Sequence, residues 1–326
     1  MPQSFVLNLV AQSAIPQKFL QGRATQQLFF DLVDEVDPDL GHVLRQDNQN
    51  RAYSLSALQI ETRPSQRPQP PKSARVGQSN LCLLTAKSDR LPLQFSHRQA
   101  IAANTACWWR ITFLDDELFD HLIFLWNQLL NESFQLGSGT VAITNVTADM
   151  PDVATLTTNW PGMNWASSCS YQDIYEQASA YEQDVHMQFV TPTAFEEGGC
   201  VSPMPTADAV FQPLRKRWNR YSGLAFAPSL IKNIVPLKFD IKTEDISTES
   251  IPIEPLTGAT PVTIAGCTGQ VSFRILGNDP LTTKRINALA DFSRYCGIGY
   301  GTPVGMGAVR RLSRASAMVY RPKTQP

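Results

Sequence analysis

A glycine-rich segment near the C-terminus constrains the fold more than any other stretch of the sequence. It runs Gly297-Ile298-Gly299-Tyr300-Gly301-Thr302-Pro303-Val304-Gly305-Met306-Gly307, so that two Gly-apolar-Gly triplets bracket a five-residue insert. Glycine adopts positive φ and lets a ligand or another backbone approach closely, so this segment predicts a shaped loop. Its N–H groups either form a concave anion site or belong to a turn that packs a helix against a last strand. The glycine spacing and the absence of Gly-Lys-Ser/Thr exclude a P-loop and a dinucleotide-binding fingerprint.

The composition is that of a globular protein with room for two domains. The chain has 326 residues, 43% of them hydrophobic and 17% charged, and one domain usually takes about 100–200 residues. No apolar run approaches the roughly 18 residues that span a bilayer, and no secretory signal begins the chain. The six cysteines are far apart in the sequence, without the C-x-x-C spacing of a zinc site. Such isolated thiols are typical of a protein in a reducing compartment. We therefore expect a cytoplasmic protein with no metal, no cofactor and no membrane partner.

The charges are unevenly distributed, although the net charge is only −1. Between residues 99 and 200, Arg110 is the only basic residue against thirteen acids. After residue 271 the balance reverses, since nine Lys and Arg residues accompany only Asp279 and Asp291. A charge total that is divided in this way is compatible with a basic patch on one face, as binding of a nucleic acid requires.

Hydrophobic periodicity predicts a similar order of elements in both halves of the chain. In the first half it predicts strands at residues 5–10, 53–58, 81–86 and 106–113, a pair of strands within residues 134–146, and helices at residues 22–36, 40–46 and 115–130. In the second half it predicts strands at residues 185–190, 235–241 and 263–276, helices at residues 170–180, 206–221 and 282–295, and a last strand after the glycine segment.

Strand-helix-strand repeated twice is the order of the ferredoxin-like fold. We therefore predict an α+β protein of two tandem ferredoxin-like (RRM-like) domains, each an antiparallel sheet with helices on one face. The first domain covers residues 1–150 and carries a Pro-rich, basic insert at about residues 62–80. The second covers residues 151–326 and ends in the glycine-rich loop.

Several motifs stand together in a fixed order along the chain. They are Tyr53-Ser54-Leu55-Ser56, Phe189-Val190-Thr191-Pro192-Thr193-Ala194-Phe195, the stretch from Met204-Pro205 to Arg217-Trp218-Asn219, and the glycine segment. This ordered set resembles the CRISPR-associated endoribonucleases that process precursor CRISPR RNA, which belong to the RAMP superfamily of paired ferredoxin-like domains. The resemblance covers nearly the whole chain, and the central hundred residues and the Pro-rich insert carry no motif that matches the family.

The resemblance implies metal-free cleavage of a CRISPR repeat RNA by attack of a ribose 2′-OH on the neighbouring phosphate. The products would carry a 2′,3′-cyclic phosphate and a 5′-OH. It leaves open a homodimer and association with other CRISPR effector subunits. The alternatives are a non-catalytic RAMP subunit that holds guide RNA and, with less support, an unrelated enzyme that binds a small anion at the glycine loop.

The catalytic candidates follow from the resemblance, which places a histidine between the first helix and the Tyr53 strand. His42 is the only histidine in that interval, while the usual slot falls nearer Arg45. Imidazole suits a general base or acid near neutrality, whereas a guanidinium stays protonated and only neutralises the phosphorane. We thus expect His42 as the base and Arg45, Arg51 and Arg23 as stabilisers. Tyr53 either orients the site or fills the core.

The RNA-binding candidates are the loop glycines and nearby basic residues, namely Gly297, Gly299, Gly301, Gly305, Gly307, Arg310, Arg311, Arg314, Arg215, Lys216 and Arg220. The loop insert lacks the Lys or Arg that the family usually has there. The positive charge that binds RNA phosphates would therefore come from the arginines that follow the loop. Strand alternation puts Arg310 and Arg311 on opposite faces. Arg215, Lys216 and Arg220 have an equal alternative as the solvated face of a helix. His97, in a basic loop, is a further residue in reach of RNA, whereas His121 and His186 are predicted to be structural.

Overall fold

The computed structural model describes residues 1–46, 52–60, 93–116, 118, 121–122, 126–147, 165–197, 199–247 and 263–312. The insert expected at residues 62–80, the strand expected at residues 81–86, and the candidate site residues Arg51 and Arg314 lie outside these ranges. Residue 150, our boundary between the two domains, also lies outside them, so that boundary stays a prediction.

Seven strands form the first sheet. They are β1 (Gln3–Ala11), β2 (Tyr53–Leu55), β3 (Gln59–Ile60), β4 (Ala106–Phe113), β5 (Ser133–Leu136), β6 (Gly139–Thr147) and β7 (Ser167–Ser168). The main path runs β2-β4-β1-β6-β5, with β3 also on β4 and β7 also on β1. The strand expected at residues 53–58 is interrupted, because the N–H of Leu58 bonds to the carbonyl of Leu20 instead of to β4.

Strand β1 lies in the centre of this sheet and is buried on both faces. Phe5 and Leu7 point into the core under the helices, as the alternation in the sequence predicted. On the other face Val6 packs with Trp165 and Ala308. Since Ala308 follows the glycine loop, the second half of the chain covers the face of the first sheet that alternation alone would leave open to solvent.

Two helices connect β1 to β2. Helix α1 (Arg23–Asp34) buries one apolar stripe that includes Leu28 and Leu32. Helix α2 (Pro38–Gln46) begins after Asp37, whose Oδ1 accepts the N–H of Leu40 at 3.0 Å. Such a cap satisfies one of the free N–H groups at a helix start. Residues 116, 118, 121, 122 and 126 belong to a further helix.

Four strands form the second sheet, and a separate hairpin accompanies it. The hairpin consists of β9 (Phe195–Glu197) and β10 (Cys200–Ser202), and the sheet of β8 (Asp184–Thr193), β11 (Ile234–Ser247), β12 (Thr263–Ile275) and β13 (Val309–Leu312). The sheet order is β11-β12-β8-β13, with antiparallel pairing throughout. In chain order this is 2-3-1-4, the arrangement that β2, β4, β1 and β6 also have. The predicted α+β fold of two ferredoxin-like units is thus confirmed.

The helices of the second half are α3 (Tyr171–Gln177), α4 (Ala207–Tyr221) and α5 (Pro280–Cys296). Helix α4 is capped by Thr206, whose hydroxyl accepts the N–H of Ala209 at 3.1 Å. Helices α4 and α5 meet where the rings of Trp218 and Phe292 are 5.4 Å apart, edge to face. This contact and the side chains around it form the core under the second sheet.

Two findings bear on what the composition led us to expect. None of the described helices is long and apolar enough to cross a membrane. Cys107, Cys200, Cys267 and Cys296 are free, but Cys169 is disulfide-bonded, which departs from our expectation of unpaired thiols. Single cysteines far apart in a sequence give no sign of which of them the fold brings together.

Candidate functional site

The glycine loop is a buried junction between the two halves of the chain. A Cβ added to Gly299 would lie 2.3 Å from the carbonyl oxygen of Ala194, and one added to Gly305 would lie 2.9 Å from the backbone nitrogen of Ala57. Both glycines also have positive φ, +78° and +92° respectively. The short 3₁₀ turn of the loop, Thr302–Val304, contacts β2 and α1 of the first half. The packing that the sequence left as one of two alternatives is therefore present.

Most N–H groups of the loop are already bonded within the protein. Backbone carbonyls accept the N–H groups of six loop residues, namely Gly297, Ile298, Tyr300, Val304, Met306 and Gly307. The groups that remain for a ligand are therefore few. In the described structure this loop is a shaped contact surface rather than a row of free donors, and RNA binding by its glycines stays a prediction.

Arg217 on α4 holds the glycine loop in place through hydrogen bonds. Its Nη1 donates to the carbonyl of Cys296 at 2.7 Å, and its Nη2 lies 3.4 Å from the hydroxyl of Thr302. The sequence analysis used Arg217 only as part of a motif and assigned it no role. The sequence did offer one signal for this role. Arg217 directly precedes Trp218 and so lies at the border between the apolar and the polar face of α4.

Arg110 and Ser54 tie the first sheet to the end of α5. Arg110 donates through Nη2 to the carbonyl of Arg294 at 2.7 Å and through Nε to the hydroxyl of Ser4 at 2.7 Å. The Ser54 hydroxyl donates to the carbonyl of Tyr295 at 3.0 Å. Burial, together with the nearby charge of Arg294, lowers the pKa of Arg110 to about 9. The one basic residue of the acidic stretch is thus a buried connection between the sheet and α5.

Of the predicted catalytic residues, Arg45 and Tyr53 contact neighbouring aromatic rings, although Arg45 is exposed. Arg45 forms a two-pronged ion pair with Asp34 and lies over the ring of Phe30, 4.5 Å from its centroid. That hydrogen-bonded guanidinium lowers the pKa of Asp34. Tyr53 is buried, stacks on Phe29 with centroids 4.5 Å apart, and accepts a hydrogen bond from Gln26 at 3.3 Å. Arg45 therefore joins α2 to α1, and Tyr53 belongs to the core beside it.

His42 and Arg23 are exposed on the rim of the same region. The amide of Gln46 lies 2.7 Å from Nε2 of His42 and donates to it, one helical turn further along α2. Arg23 is the first residue of α1, directly after Gly22, which has a φ of +69°. The structure thus places His42 three residues before Arg45 on one helix, but it directs Arg45 to Asp34. The catalytic roles of His42, Arg45 and Arg23 remain predictions.

The two arginines of β13 differ in environment, as the alternation predicted. Arg311 lies on the helix face and is paired with Asp291 at 3.0 Å and Glu182 at 2.5 Å. Arg310 lies on the opposite face and donates through Nε to Gln188 at 2.9 Å. Arg311 is held by two carboxylates, so Arg310 stays the candidate for a phosphate contact, although it too is buried, with 9% of its surface exposed.

The basic residues of α4 are likewise not equivalent. Arg215 donates to Gln212 and to the carbonyl of Phe226, which holds the segment after the helix in place. Lys216 and Arg220 are exposed, and Arg220 lies over the ring of Tyr221. Of the three basic residues, Lys216 and Arg220 therefore remain the candidates for contact with RNA.

A cleft of about 750 Å³ lies between the two sheets on the side away from α5. Its walls come from residues 93–100 of the first half and from β8, β11 and β12 of the second half. His97 in this wall is buried and donates through Nε2 to the carbonyl of Leu58 at 2.5 Å. Burial lowers the pKa of His97, against the opposing effect of that hydrogen bond. The wall also carries Arg98, which is exposed.

The other two histidines have the structural partners expected of them. His121 lies 2.9 Å from a carboxylate oxygen of Asp37, and His186 lies 2.7 Å from the hydroxyl of Ser272. In the part of the chain that the structure describes, no group of three His, Cys, Asp or Glu side chains is arranged to hold a metal ion.

Two ferredoxin-like units joined through a buried glycine-rich loop form the architecture that the resemblance to the RAMP superfamily implied. Family comparison then identifies the particular group. The family described as CRISPR Cas6 N-terminal domain matches residues 1–176, and the family described as CRISPR-associated endoribonuclease Cas6 matches residues 187–309. The chain belongs to the CRISPR-associated Cas6 endoribonuclease family.

Solved structures of Cas6 proteins have the same fold as this chain. A Cas6 product complex superposes with a TM-score of 0.65 at 19% identity and covers 96% of this chain and 100% of its own. Cas6 of Thermus thermophilus gives a TM-score of 0.58 at 17% identity, over 96% of this chain and 98% of its own. A Cas6 substrate mimic complex gives a TM-score of 0.58 at 17% identity, over 95% and 98%. Among curated protein sequences, none matches the chain significantly.

Proposed function

We propose that the protein cuts precursor CRISPR RNA within its repeats by metal-independent attack of a ribose 2′-OH on the adjacent phosphate. The products are a 2′,3′-cyclic phosphate and a 5′-OH, and the trimmed CRISPR RNA is the mature guide. Membership in an endoribonuclease family supports cleavage of RNA, and the solved relatives of similar fold include a product complex and a substrate mimic complex. One relative of the same fold is described as an RAMP protein binding different RNA substrates.

The observation that carries this proposal is the position of the glycine loop against the first half of the chain. Its 3₁₀ turn contacts β2 and α1, the elements that bear Tyr53 and Arg23. The junction of the two domains therefore lies beside the elements that carry these two candidate catalytic residues. An RNA strand that follows the junction passes both.

The chemistry needs a base at the 2′-OH, an acid at the leaving 5′-oxygen and positive charge near the phosphorane. His42 is exposed and its Nε2 accepts a hydrogen bond, so a lone pair is available for proton abstraction once Gln46 gives way to substrate. Arg23 is exposed at the start of α1, where the helix dipole adds positive potential. Arg45 stabilises the phosphorane only if its pair with Asp34 opens or is shared with the phosphate.

A second candidate function is a non-catalytic RAMP subunit that holds guide RNA. The pairing of Arg45 with Asp34 and of His42 with Gln46 favours it, because no base and cation are assembled in advance. The two functions predict different outcomes with the same RNA.

The proposal is tested with a repeat RNA that carries a single deoxyribose at the nucleotide before the cut. The enzyme binds both RNAs and cleaves only the all-ribose one, because the modified RNA offers no attacking hydroxyl. Cleavage of the deoxyribose RNA at the same site would overturn the transesterification mechanism. Binding of both RNAs without cleavage of either would establish the non-catalytic function.

A further inference from the structure

We propose that Arg217 is a positioning residue for cleavage, which holds the glycine loop in the orientation that the reaction needs. The loop begins directly after α5 and contacts the first half of the chain through its 3₁₀ turn. Arg217 lies on α4 and belongs neither to the predicted catalytic residues nor to the predicted RNA-binding residues. Its role in cleavage rests on the proposed function, whereas its role in the loop rests on contacts within the protein alone.

The C-terminal end of α5 is closed by side chains from three other elements. The last four carbonyl groups of a helix have no partner within the helix, and the carbonyl of Ser293 accepts the N–H of Gly297 at 2.9 Å. The next three carbonyls accept side-chain donors at 2.7, 3.0 and 2.7 Å, namely Arg294 from Arg110 of β4, Tyr295 from Ser54 of β2, and Cys296 from Arg217 of α4. All four terminal carbonyl groups are therefore bonded within the protein.

These contacts join both halves of the chain at one point. Ser54 and Arg110 belong to the first sheet, whereas Arg217 and α5 belong to the second half. The carbonyl end of a helix carries partial negative charge, which suits the two guanidinium groups there. Burial raises the pKa of the Cys296 thiol to about 11, and the charge of Arg217 opposes this rise. Within the described part of the chain, no carboxylate forms an ion pair with Arg217, so its charge acts on the helix end.

Of the three capping side chains, Arg217 is the one whose described hydrogen bonds extend into the glycine loop. Its Nη2 donates to the hydroxyl of Thr302 at 3.4 Å. Thr302 is fully buried. Its Cγ2 lies 3.0 Å from the place of a Cβ added to Gly297 and 3.1 Å from that of a Cβ added to Gly307. Thr302 thus fills the space between the two ends of the loop, and a side chain that holds Thr302 maintains the shape of the loop.

The position of Thr302 also matters for the first half of the chain. Thr302 begins the 3₁₀ turn that contacts β2 and α1, and these elements carry Tyr53 and Arg23. A displaced turn changes how an RNA strand held by the second half meets the candidate catalytic residues of the first half. A misplacement of about 1 Å can lower the rate of an enzyme about 10²-fold.

The two contacts of Arg217 require a forked donor. A guanidinium presents several N–H groups in a fixed plane, so that it donates to Cys296 and Thr302 at once, whereas the ammonium group of lysine is a compact point charge. Arg217→Lys therefore keeps the charge at the helix end and loses the paired hydrogen bonds. Arg217→Ala loses both.

The first test measures hydrogen exchange of the RNA-free, full-length protein, and its result does not depend on cleavage. The N–H groups of Ile298, Tyr300 and Met306 are bonded within the loop or to Ala194. In Arg217→Ala, peptides that cover residues 298–306 should exchange at least about tenfold faster, because the loop opens more often once it loses a charged hydrogen bond. Peptides of β12 should exchange as in wild type. Unchanged exchange of the loop in Arg217→Ala would overturn the proposal.

The matched control is Asn219→Ala. Asn219 lies on the same helix and bonds to the N–H and the carbonyl of Phe226 at 2.8 and 2.9 Å, in the segment after the helix instead of in the loop. This variant also removes two hydrogen bonds of α4, but it should leave the exchange of the loop unchanged. Equally faster exchange of the loop in Asn219→Ala would show that any weakening of α4 has this effect, and it would overturn the specific role of Arg217.

The second test compares single-turnover cleavage of a repeat RNA at saturating protein. Arg217→Ala should cut the RNA about 10²-fold more slowly, Arg217→Lys should recover part of the rate, and Asn219→Ala should cut at the wild-type rate. The log-log salt slope of RNA binding should stay as in wild type, whereas loss of a direct phosphate contact would lower it by about 0.7. Thr302→Val removes the acceptor hydroxyl and should lower the rate less than Arg217→Ala. Combined with Arg217→Ala, it should cause no further loss, because the two residues act through one contact.

A wild-type rate in Arg217→Ala, a reduced salt slope, or additive losses in the double variant would overturn the positioning role. Equal rate losses in Arg217→Ala and Asn219→Ala would do so as well. A wild type that binds the RNA without cutting it would overturn the proposed function and, with it, the role of Arg217 in cleavage. The exchange measurement would still decide whether Arg217 holds the loop.

Discussion

His42 and Arg45 lie three residues apart on α2, yet their surroundings suit them to different chemical roles. The imidazole of His42 is exposed and accepts a hydrogen bond from Gln46. The guanidinium of Arg45 is held by Asp34 and by the ring of Phe30. Proton transfer therefore belongs to His42 if it occurs on this helix, and Arg45 acts either by charge or by holding α2 against α1.

Replacement of His42 by Ala should lower the single-turnover cleavage rate by about 10²–10⁴-fold with little change in RNA affinity. A neutral imidazole adds little to phosphate binding, whereas it transfers protons efficiently near neutrality. A full rate in His42→Ala would remove His42 from the mechanism.

Arg45→Ala should be compared with Asp34→Asn, because both variants break the same ion pair but only one removes the guanidinium. If Arg45 neutralises the phosphorane, Arg45→Ala loses cleavage while Asp34→Asn keeps it, and Arg45→Lys recovers only part. Equal losses of cleavage in Arg45→Ala and Asp34→Asn would show that Arg45 acts through the packing of α2 on α1.

Variants of Arg310 and Arg311 should differ in whether they mainly affect RNA binding or the free energy of unfolding. Arg311→Ala leaves the nearly buried carboxylate of Asp291 without its cation, which costs roughly 3–5 kcal/mol of unfolding free energy. Arg310→Ala removes a buried arginine that donates to the uncharged Gln188, so it should cost less unfolding free energy than Arg311→Ala, and it should reduce the log-log salt slope of RNA binding by about 0.7. Denaturant unfolding and salt titrations measure the two quantities. A reduced slope in Arg311→Ala at unchanged stability would reverse these assignments.

Among the elements, the glycine loop shows how one segment serves both the fold and the site. Gly299 and Gly223 have nearly the same positive φ, +78° and +71°, but only Gly299 has backbone atoms where a Cβ would be. Left-handed φ costs an alanine about 1–2 kcal/mol, and forced overpacking adds about 1–3 kcal/mol.

Gly299→Ala should therefore lose clearly more unfolding free energy than Gly223→Ala, and RNA binding should fall with it as the domain junction loosens. Urea unfolding of both variants provides the comparison. Equal destabilisation, with RNA binding lost only in Gly299→Ala, would instead favour direct contact of the loop with RNA.

The segment at residues 93–100 contains a pH-sensitive contact. Burial holds the pKa of His97 below its ordinary value of 6.5, so the unfolded chain binds the proton more readily than the folded one. The contribution of His97 to the free energy of unfolding is therefore fully present above about pH 6.5, and it is lost as the pH falls through the pKa of the folded state. Wild type should lose more unfolding free energy than His97→Gln between pH 7 and 5, since glutamine can donate to Leu58 but does not titrate. Parallel pH profiles of the two proteins would contradict this.

At the scale of the whole molecule, the sequence predicted the architecture because its signals are local. Alternation in β1 and the helical spacing of Leu28 and Leu32 identify elements without any knowledge of distant partners. The pairing of Arg45 with Asp34 and the support of the loop by Arg217 were not predictable in this way. These contacts join residues separated by 11 and up to 85 positions, and their geometry exists only once the elements of each domain pack against one another. The hairpin β9–β10 was missed because its strands have three residues each, too few for a period.

The most direct test of the central claim is incubation of the purified protein with end-labelled repeat RNA in excess EDTA, followed by analysis of the product ends. We expect cleavage at one site within the repeat at an undiminished rate. The upstream product should carry a 2′,3′-cyclic phosphate and the downstream product a 5′-OH. Cleavage that stops in EDTA and returns with Mg²⁺, or products with a 5′-phosphate, would contradict the account.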